Sequence, residues 1–374
     1  MTGVGIVGCG FVADYYISTL EAYDDLEVVG VTDRDRARAA RFAQHHGLEH
    51  LASYESYEEL LADPRVEIVA NLTNPRSHAE VTEAALRAGK HVYSEKPLAM
   101  RLDQATQLVQ LAAERQLLLS SAPCSLLGET AQTLWRAVRD RRVGTVRLVY
   151  AEMDEGLVHR MPFASWTSAS GAPWPARDEF EIGTVIEHAG YVVSWLPAMF
   201  GPAETVTGFA ERLIPDKAGV ATDGTDFSVA VIRFASGVIA RITCSLIAPH
   251  DHSVRVVGDK GVLSIDDTWF YDSPVRVRRS VNLGPRHQWL PRRRIRLLGR
   301  PQRYRYRGTQ QMDFARGLAD LADAIRQQRA PRLSAEYCLH STEIVLAMDQ
   351  ALRERSTYHM TTSFEPIEPM PWAS

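Results

Sequence analysis

The decapeptide VGIVGCGFVA (Val4–Ala13) constrains the fold of this chain more tightly than any other stretch. A short valine/isoleucine run leads into Gly8-Cys9-Gly10-Phe11-Val12-Ala13, and an amphipathic helical pattern follows. This is G-x-G-x-x-A between a strand and a helix. Gly8 permits the tight turn, Gly10 lets the backbone approach a pyrophosphate, and Ala13 permits close helix–strand packing. Phe11 and Val12 lead into a helix whose N-terminal amides and dipole favour an anion. Asp33 lies 23 residues after Gly10, at the end of the second apolar run. A carboxylate there bonds a ribose 2′-hydroxyl, so NAD is the expected cofactor. Arg34 follows directly and is placed to face a 2′-phosphate instead, which leaves NADP open.

The pattern continues for the first 120 residues. VGIVG, EVVGVTD, VEIVANLT, KHVYSE and LLLSSA read as strands, with helices near residues 11–22, 34–46, 56–62, 77–88 and 101–115. Such alternation predicts a doubly wound parallel sheet. After Pro123 the texture changes, so the division is set at 1–122 and 123–374. A helix at about 126–141 leads into TVRLVYAEM, then a Trp/Pro-rich loop, then another helix. From 203 to 281 strands follow one another, with turns at Ser236-Gly237 and Lys260-Gly261, which predicts an antiparallel sheet. Helices over 309–328 and 335–353 close this half, and the tail FEPIEPMPW reads as an extended arm.

Composition narrows the function classes. A length of 374 residues favours two domains over one core. A net charge of −4 points neither to nucleic acid nor to a membrane surface. No apolar run has the length of a membrane span, and the N-terminus lacks a signal-peptide layout. The four scattered cysteines read as reduced thiols of a cytoplasmic protein. Between Ser273 and Met312 lie twelve arginines and no acidic residue. Their irregular spacing reads as a solvated or interface strand rather than a pocket for a phosphorylated substrate. His250, Asp251 and His252 form an H-x-H pair at a strand junction, but the sequence offers no third ligand, so no metal site is predicted.

Only four of the 42 basic residues are lysines, which makes Lys96 conspicuous. It sits in HVYSEKPLAM (His91–Met100), where Glu95-Lys96-Pro97 follows the fifth strand at the carboxyl edge of the sheet, the ligand-binding edge of such folds. GIVGCGFVA, NLTNPRSHAEVTEAALRAGKHVYSEKPLA and the strand-rich second half resemble the glucose–fructose oxidoreductase / inositol dehydrogenase (Gfo/Idh/MocA) family. The most specific segment carries Thr73, Asn74, Pro75, His78, Ala88-Gly89-Lys90 and Glu95-Lys96-Pro97. The resemblance implies an N-terminal Rossmann domain and a C-terminal α/β domain with an open, mostly antiparallel sheet. It also implies nicotinamide-dependent redox chemistry on sugars, cyclitols or related polyols. It places Lys96 near both nicotinamide and substrate, beside a peptide at Pro97 that is often cis.

The same resemblance bears on GTVIEHAGYVVSW (Gly183–Trp195). Family members carry roughly G-x-x-x-D-x-G-x-H there. In this chain Glu187 takes the Asp position and Tyr191 the His position, and Ala189 replaces the glycine. Residues 187 and 191 share a helix face, and His188 neighbours Tyr191 at i,i+3. Oxidising a carbinol requires a group that takes the hydroxyl proton as hydride leaves. A free phenol titrates near about 10, and a Lys96 ammonium beside it would lower that value. Three assignments stay open, in this order: Tyr191 activated by Lys96, Lys96 itself, or His188.

The loop Glu155–Gly183 precedes this helix, and loops of that length are usually functional. Trp166 and Trp174 are candidates to stack on a sugar ring, and His159, Arg160, Arg177 and Asp178 to bind hydroxyls or an anion. The leading expectation is an NAD(P)-dependent dehydrogenase or reductase acting on a sugar, amino sugar, cyclitol or nucleotide sugar. A redox-neutral enzyme holding NAD tightly, and a non-catalytic NAD-binding subunit, are the alternatives. An uncovered sheet face predicts a homodimer or homotetramer.

Overall fold

The computed structural model describes residues 1–299 and 312–374. Six strands pair in parallel in the first half: β1 (Thr2–Val7), β2 (Leu26–Thr32), β3 (Ala52–Ser53), β4 (Ile68–Asn71), β5 (His91–Ser94) and β6 (Leu119–Ser121), in the order β3-β2-β1-β4-β5-β6. Helices α1 (Ala13–Leu20), α2 (Arg36–His45), α3 (Tyr57–Ala62), α4 (His78–Arg87) and α5 (Leu102–Glu114) connect them. The order reverses between β1 and β4, which opens a crevice at their carboxyl ends. Strand β3 was not among the expected strands, because two residues are too short to carry an apolar period.

The second half adds α6 (Glu129–Arg139), β7 (Val146–Asp154), α7 (Ala176–Ile182), α8 (Thr184–His188), α9 (Gly190–Val193), α10 (Leu196–Phe200) and β8 (Ala203–Glu211). A small hairpin, β9 (Asp216–Lys217) with β10 (Val220–Ala221), stands apart. Then come β11 (Phe227–Phe234), β12 (Ile239–Ser245), β13 (Val254–Gly258), β14 (Gly261–Ile265), β15 (Arg276–Leu283), β16 (Arg286–Trp289) and β17 (Arg293–Arg294). Helices α11 (Arg316–Gln327) and α12 (Ala335–Glu354) and strand β18 (Tyr358–His359) complete it. The sheet runs β16-β15-β14-β13-β7-β12-β11-β8-β18, with β17 beside β15. Its pairings are antiparallel except β12 with β7, so it is open and mostly antiparallel.

Two expected elements differ in extent. The segment 183–195 is not one helix but α8 and α9, followed at once by α10. Gly190, a poor helix former, follows the first break, and Pro197 in the first turn of α10 supplies no amide to continue the ladder across the second. The helix expected from 309 begins at Arg316, and residues 309–311 lie outside the described residues, as do four of the twelve arginines.

The C-terminal helices lock the two halves together. Helix α12 packs on β8 and β11 and also on α5, while α11 packs on β5 and β6. Arg316, buried at this junction, bonds Glu129 at 3.0 Å and Asp313 at 3.1 Å and lies over the Tyr271 ring at 5.0 Å. The tail runs extended as expected: Phe364, Ile367 and Met370 pack on the core, and Glu343 accepts from the Thr361 and Thr362 amides at 2.8 Å. The far face of the sheet carries Phe209, Val231 and Ile239, each more than a third exposed.

Candidate active site

The turn after β1 has the form a dinucleotide needs. Gly8 has φ +95°, and a Cβ there would lie 2.7 Å from the Leu72 carbonyl oxygen, so only glycine fits. A Cβ on Gly10 would meet nothing within 4 Å, which leaves the backbone open to a ligand. No side chain caps helix α1 at Val12, so its positive dipole end faces the turn uncovered, although the Ala13 amide itself donates to the Gly10 carbonyl at 3.2 Å. Asp33 accepts from the Cys9 amide at 2.9 Å and the Asp35 amide at 2.8 Å. Each carboxylate oxygen keeps a further lone pair for a ribose hydroxyl. Arg34 is exposed, and Arg38, which sequence reading missed, approaches Asp33 at 3.7 Å. These residues fit a bound nicotinamide dinucleotide.

Lys96 is held from both sides. The buried Glu95 carboxylate accepts from the Tyr16 hydroxyl at 2.6 Å and from the Lys96 amide at 3.0 Å. His78, fully buried, bridges the Pro97 carbonyl at 2.7 Å and the Thr73 carbonyl at 3.0 Å. Asn71 accepts from the Thr73 hydroxyl at 2.7 Å, and Asn74 caps the turn that begins at Pro75. Glu95 and His78 thus shape the loop, with their polar atoms turned into the protein. The Lys96–Pro97 peptide is cis, as is Ala122–Pro123.

Across the crevice, the Lys96 ammonium donates to Glu187 at 2.6 Å and stands 5.9 Å from the centre of the Tyr191 ring. The Tyr191 ring meets Trp269 edge-on at 5.2 Å. Tyr191, Glu95, Tyr16, Pro123, Tyr271 and Phe314 line one cavity between the halves. Burial disfavours the Lys96 charge, but Glu187, with Tyr191, Glu179 and Glu95 adding to it, outweighs that and holds the ammonium above its usual range. The expected lowering of the Tyr191 phenol is not found. Burial raises it, Lys96 offsets only part, and the carboxylates of Glu95, Glu155 and Glu179 raise it further. The ammonium is already paired with Glu187 and faces the ring.

His188 belongs to a different arrangement. Its Nδ1 lies 2.7 Å from Glu155 and its Nε2 3.4 Å from Glu179. Burial opposes the imidazolium, but Glu155 and then Glu179 outweigh it and push the pKa up to about 10. A histidine held protonated is no base near neutrality, which corrects the third assignment above. Sequence reading missed Glu155 and Glu179 as partners because both lie in the loop, 33 and 9 residues before His188.

The loop itself packs differently from expectation. Trp174 meets Phe163 and Phe180, each at 5.8 Å, and Trp166 at 5.1 Å, so both indoles serve a small apolar core under the loop. Both remain partly exposed. Arg177 is exposed and pairs with Glu181 one turn on, at 2.6 Å. His159 sits on the turn Val158–Arg160, with its Nδ1 buried and unbonded. Neither Arg177 nor His159 is joined to Lys96 by a contact among the described residues. The loop reaches the cofactor half instead: Ser170 donates its hydroxyl to Asp14 at 2.8 Å and its amide at 3.2 Å, and Glu181 approaches Arg76 at 3.6 Å. Asp14 lies one residue beyond the G-x-G-x-x-A turn, so the loop closes beside the pyrophosphate position.

Comparison with known proteins agrees with this fold. Residues 2–122 match the family model described as the GFO/IDH/MocA oxidoreductase family, NAD-binding Rossmann fold, and residues 131–264 match the GFO/IDH/MocA C-terminal domain. The chain belongs to the GFO/IDH/MocA family of NAD(P)-dependent oxidoreductases. A trans-1,2-dihydrobenzene-1,2-diol dehydrogenase of Macaca fascicularis is 27% identical over 268 residues, covering 70% of this chain and 73% of the relative. Among solved structures, a UDP-N-acetylglucosamine 3-dehydrogenase of Acidithiobacillus ferrooxidans superposes with a TM-score of 0.72 at 19% identity, covering 94% of this chain and 98% of the other. A Bordetella pertussis dehydrogenase in complex with NADH and UDP-GlcNAcA gives 0.74 at 17% identity, covering 96% and 98%. Among the described residues, no helix is long and apolar enough to cross a membrane.

Proposed function

We propose that the protein transfers hydride between a nicotinamide cofactor and the carbinol or carbonyl carbon of a sugar, amino sugar, cyclitol or nucleotide sugar, with NAD preferred. The observation that carries this reading is the Lys96–Glu187 pair at 2.6 Å, which joins the carboxyl edge of the Rossmann sheet to the helix of the second half beside Tyr191. When bound, the cofactor supplies or accepts the hydride. Tyr191 gives its proton to the carbonyl oxygen in reduction and takes it back in oxidation. The Lys96 ammonium stabilises the developing alkoxide. Glu187 keeps that ammonium charged and aimed. Burial keeps the proton on the Tyr191 phenol near neutrality, so the group is loaded for donation in reduction and must lose that proton before it can act as the base in oxidation. The test is to screen the purified protein against such substrates by NAD(P)H absorbance in both directions. No turnover with any polyol or ketose, despite cofactor binding, would overturn the reading.

The Ser170–Asp14 contact supports a second reading, in which the cofactor is retained and recycled in a redox-neutral conversion. Substrate conversion without net NADH formation distinguishes it. The apolar residues Phe209, Val231 and Ile239 on the open sheet face support pairing of two copies there. Light scattering at the mass of a single chain would contradict that.

A further inference from the structure

The H-x-H pair acquires its third donor in the fold. Asp251 exchanges backbone hydrogen bonds with Asp154 at the end of β7, both at 3.0 Å, which fixes the turn carrying His250 and His252. His252 bridges Asp267 in the backbone, and its carbonyl accepts from the Thr268 amide at 3.1 Å. These pairings bring His250, His252 and Asp267 together, with one donor atom of each within 4.8 Å of the others. His250 Nε2 lies 3.2 Å from one Asp267 oxygen and His252 Nδ1 3.7 Å from the other. The second distance is too long for a hydrogen bond. It does approach the separation of about 3.3 Å between two ligands on a tetrahedral ion with bonds of about 2.0–2.1 Å.

The His252 side chain is fully buried, yet neither ring nitrogen makes a hydrogen bond. A buried imidazole left in that state is costly. Its other nitrogen faces Glu155 at 3.2 Å, the position a carboxylate takes when it orients a metal-bound histidine. Asp267 already bonds His250 at 3.2 Å and accepts from the Trp269 amide at 2.7 Å, so the buried His252 is the group left to explain. The other group of this kind among the described residues, Asp14 with His45 and His46, has no such imidazole, since His46 bonds Asp14 at 2.6 Å and His45 is exposed.

We propose that His250, His252 and Asp267 bind a divalent transition-metal ion of the zinc type, with Glu155 orienting His252. Two imidazoles and a carboxylate suit such an ion better than magnesium or calcium, and three protein donors leave a position for an oxygen ligand. One indole separates this centre from the active site, because the Trp269 ring lies 4.3 Å from His252 and 5.2 Å from Tyr191.

The test uses the full-length protein stripped with EDTA and titrated with zinc alone, then with cobalt for its visible absorption. The wild type should bind a single ion tightly and give the intense spectrum of tetrahedral cobalt. His250→Gln, at a half-exposed side chain, and Asp267→Asn should each weaken zinc binding by roughly tenfold or more. Circular dichroism of the metal-free forms should stay unchanged, and His45→Gln should bind as the wild type does. Zinc binding equal in the wild type and both variants, or a wild type that binds only in the millimolar range, would overturn the proposal.

Discussion

Glu187 and His188 are neighbours in sequence and enter opposite arrangements. Glu187 supplies one carboxylate to one cation, Lys96, across the boundary between the halves. His188 is one cation between two carboxylates, Glu155 and Glu179, within the second half. The first pair ends beside the Tyr191 phenol, whose ring lines a cavity; the second runs on through Glu155 to His252, away from Lys96. Charge pairing alone therefore does not mark a catalytic group. What separates the two is that only the first pair spans the two halves beside Tyr191, where the proposed reaction is placed.

That difference yields graded expectations. Tyr191→Phe keeps the ring and its contact with Trp269 while removing the proton, so turnover should fall by roughly 10²–10⁴ with cofactor affinity unchanged. Lys96→Met should fall comparably, and Lys96→Arg should not restore it, since guanidinium is wider and already forked. Near-normal turnover in Tyr191→Phe would move the proton to another group. Glu187→Gln leaves the Lys96 charge buried without its partner, which should cost about 3 kcal/mol of stability as well as activity; equilibrium denaturation and initial rates read the two effects separately.

His188→Gln sharpens the comparison from the other side, because it should cost stability with less than about a tenfold loss of turnover. The pH dependence has a definite sign. The folded pKa of His188, about 10, lies above its usual 6.5. Its contribution is therefore fully present below about pH 6.5 and lost as pH rises through about 10. The melting-temperature gap between wild type and His188→Gln should be widest on the acid side and close toward alkaline pH. A gap that widens with pH would contradict the assignment.

Smaller effects concern the cofactor half. Asp33 beside a 2′-phosphate should disfavour NADP by roughly tenfold or more, measured by calorimetry; equal affinity would show that Arg34 and Arg38 dominate. Ser170→Ala removes one hydroxyl bond to Asp14, worth about 1 kcal/mol, and should speed cofactor dissociation roughly fivefold.

The two halves were unequally legible in the sequence. Gly8, Gly10 and Asp33 act through backbone form and a local turn, so spacing along the chain located them. Glu187 and Tyr191 were found because one helical turn joins them. Glu155, Glu179 and Asp267 were not, since their partners come from separate strands and loops that only the sheet brings together; His250 and His252 were singled out as a pair, but without a third donor. Trp166 and Trp174 were read as candidate sugar platforms, and the small core they join under the loop was not legible, because composition cannot tell a stacking surface from packing. The phenol was misjudged for a related reason: the sequence showed Lys96 near it, but neither the Glu187 pairing nor the surrounding carboxylates.

The most direct test is the pH dependence of single-turnover oxidation for whichever substrate the screen identifies, in wild type, Tyr191→Phe and His188→Gln. The account predicts a wild-type rate that climbs with pH toward and beyond the free phenol value of about 10, a climb absent in Tyr191→Phe and retained in His188→Gln. A wild-type limb near neutrality that disappears in His188→Gln, with Tyr191→Phe close to normal, would contradict it.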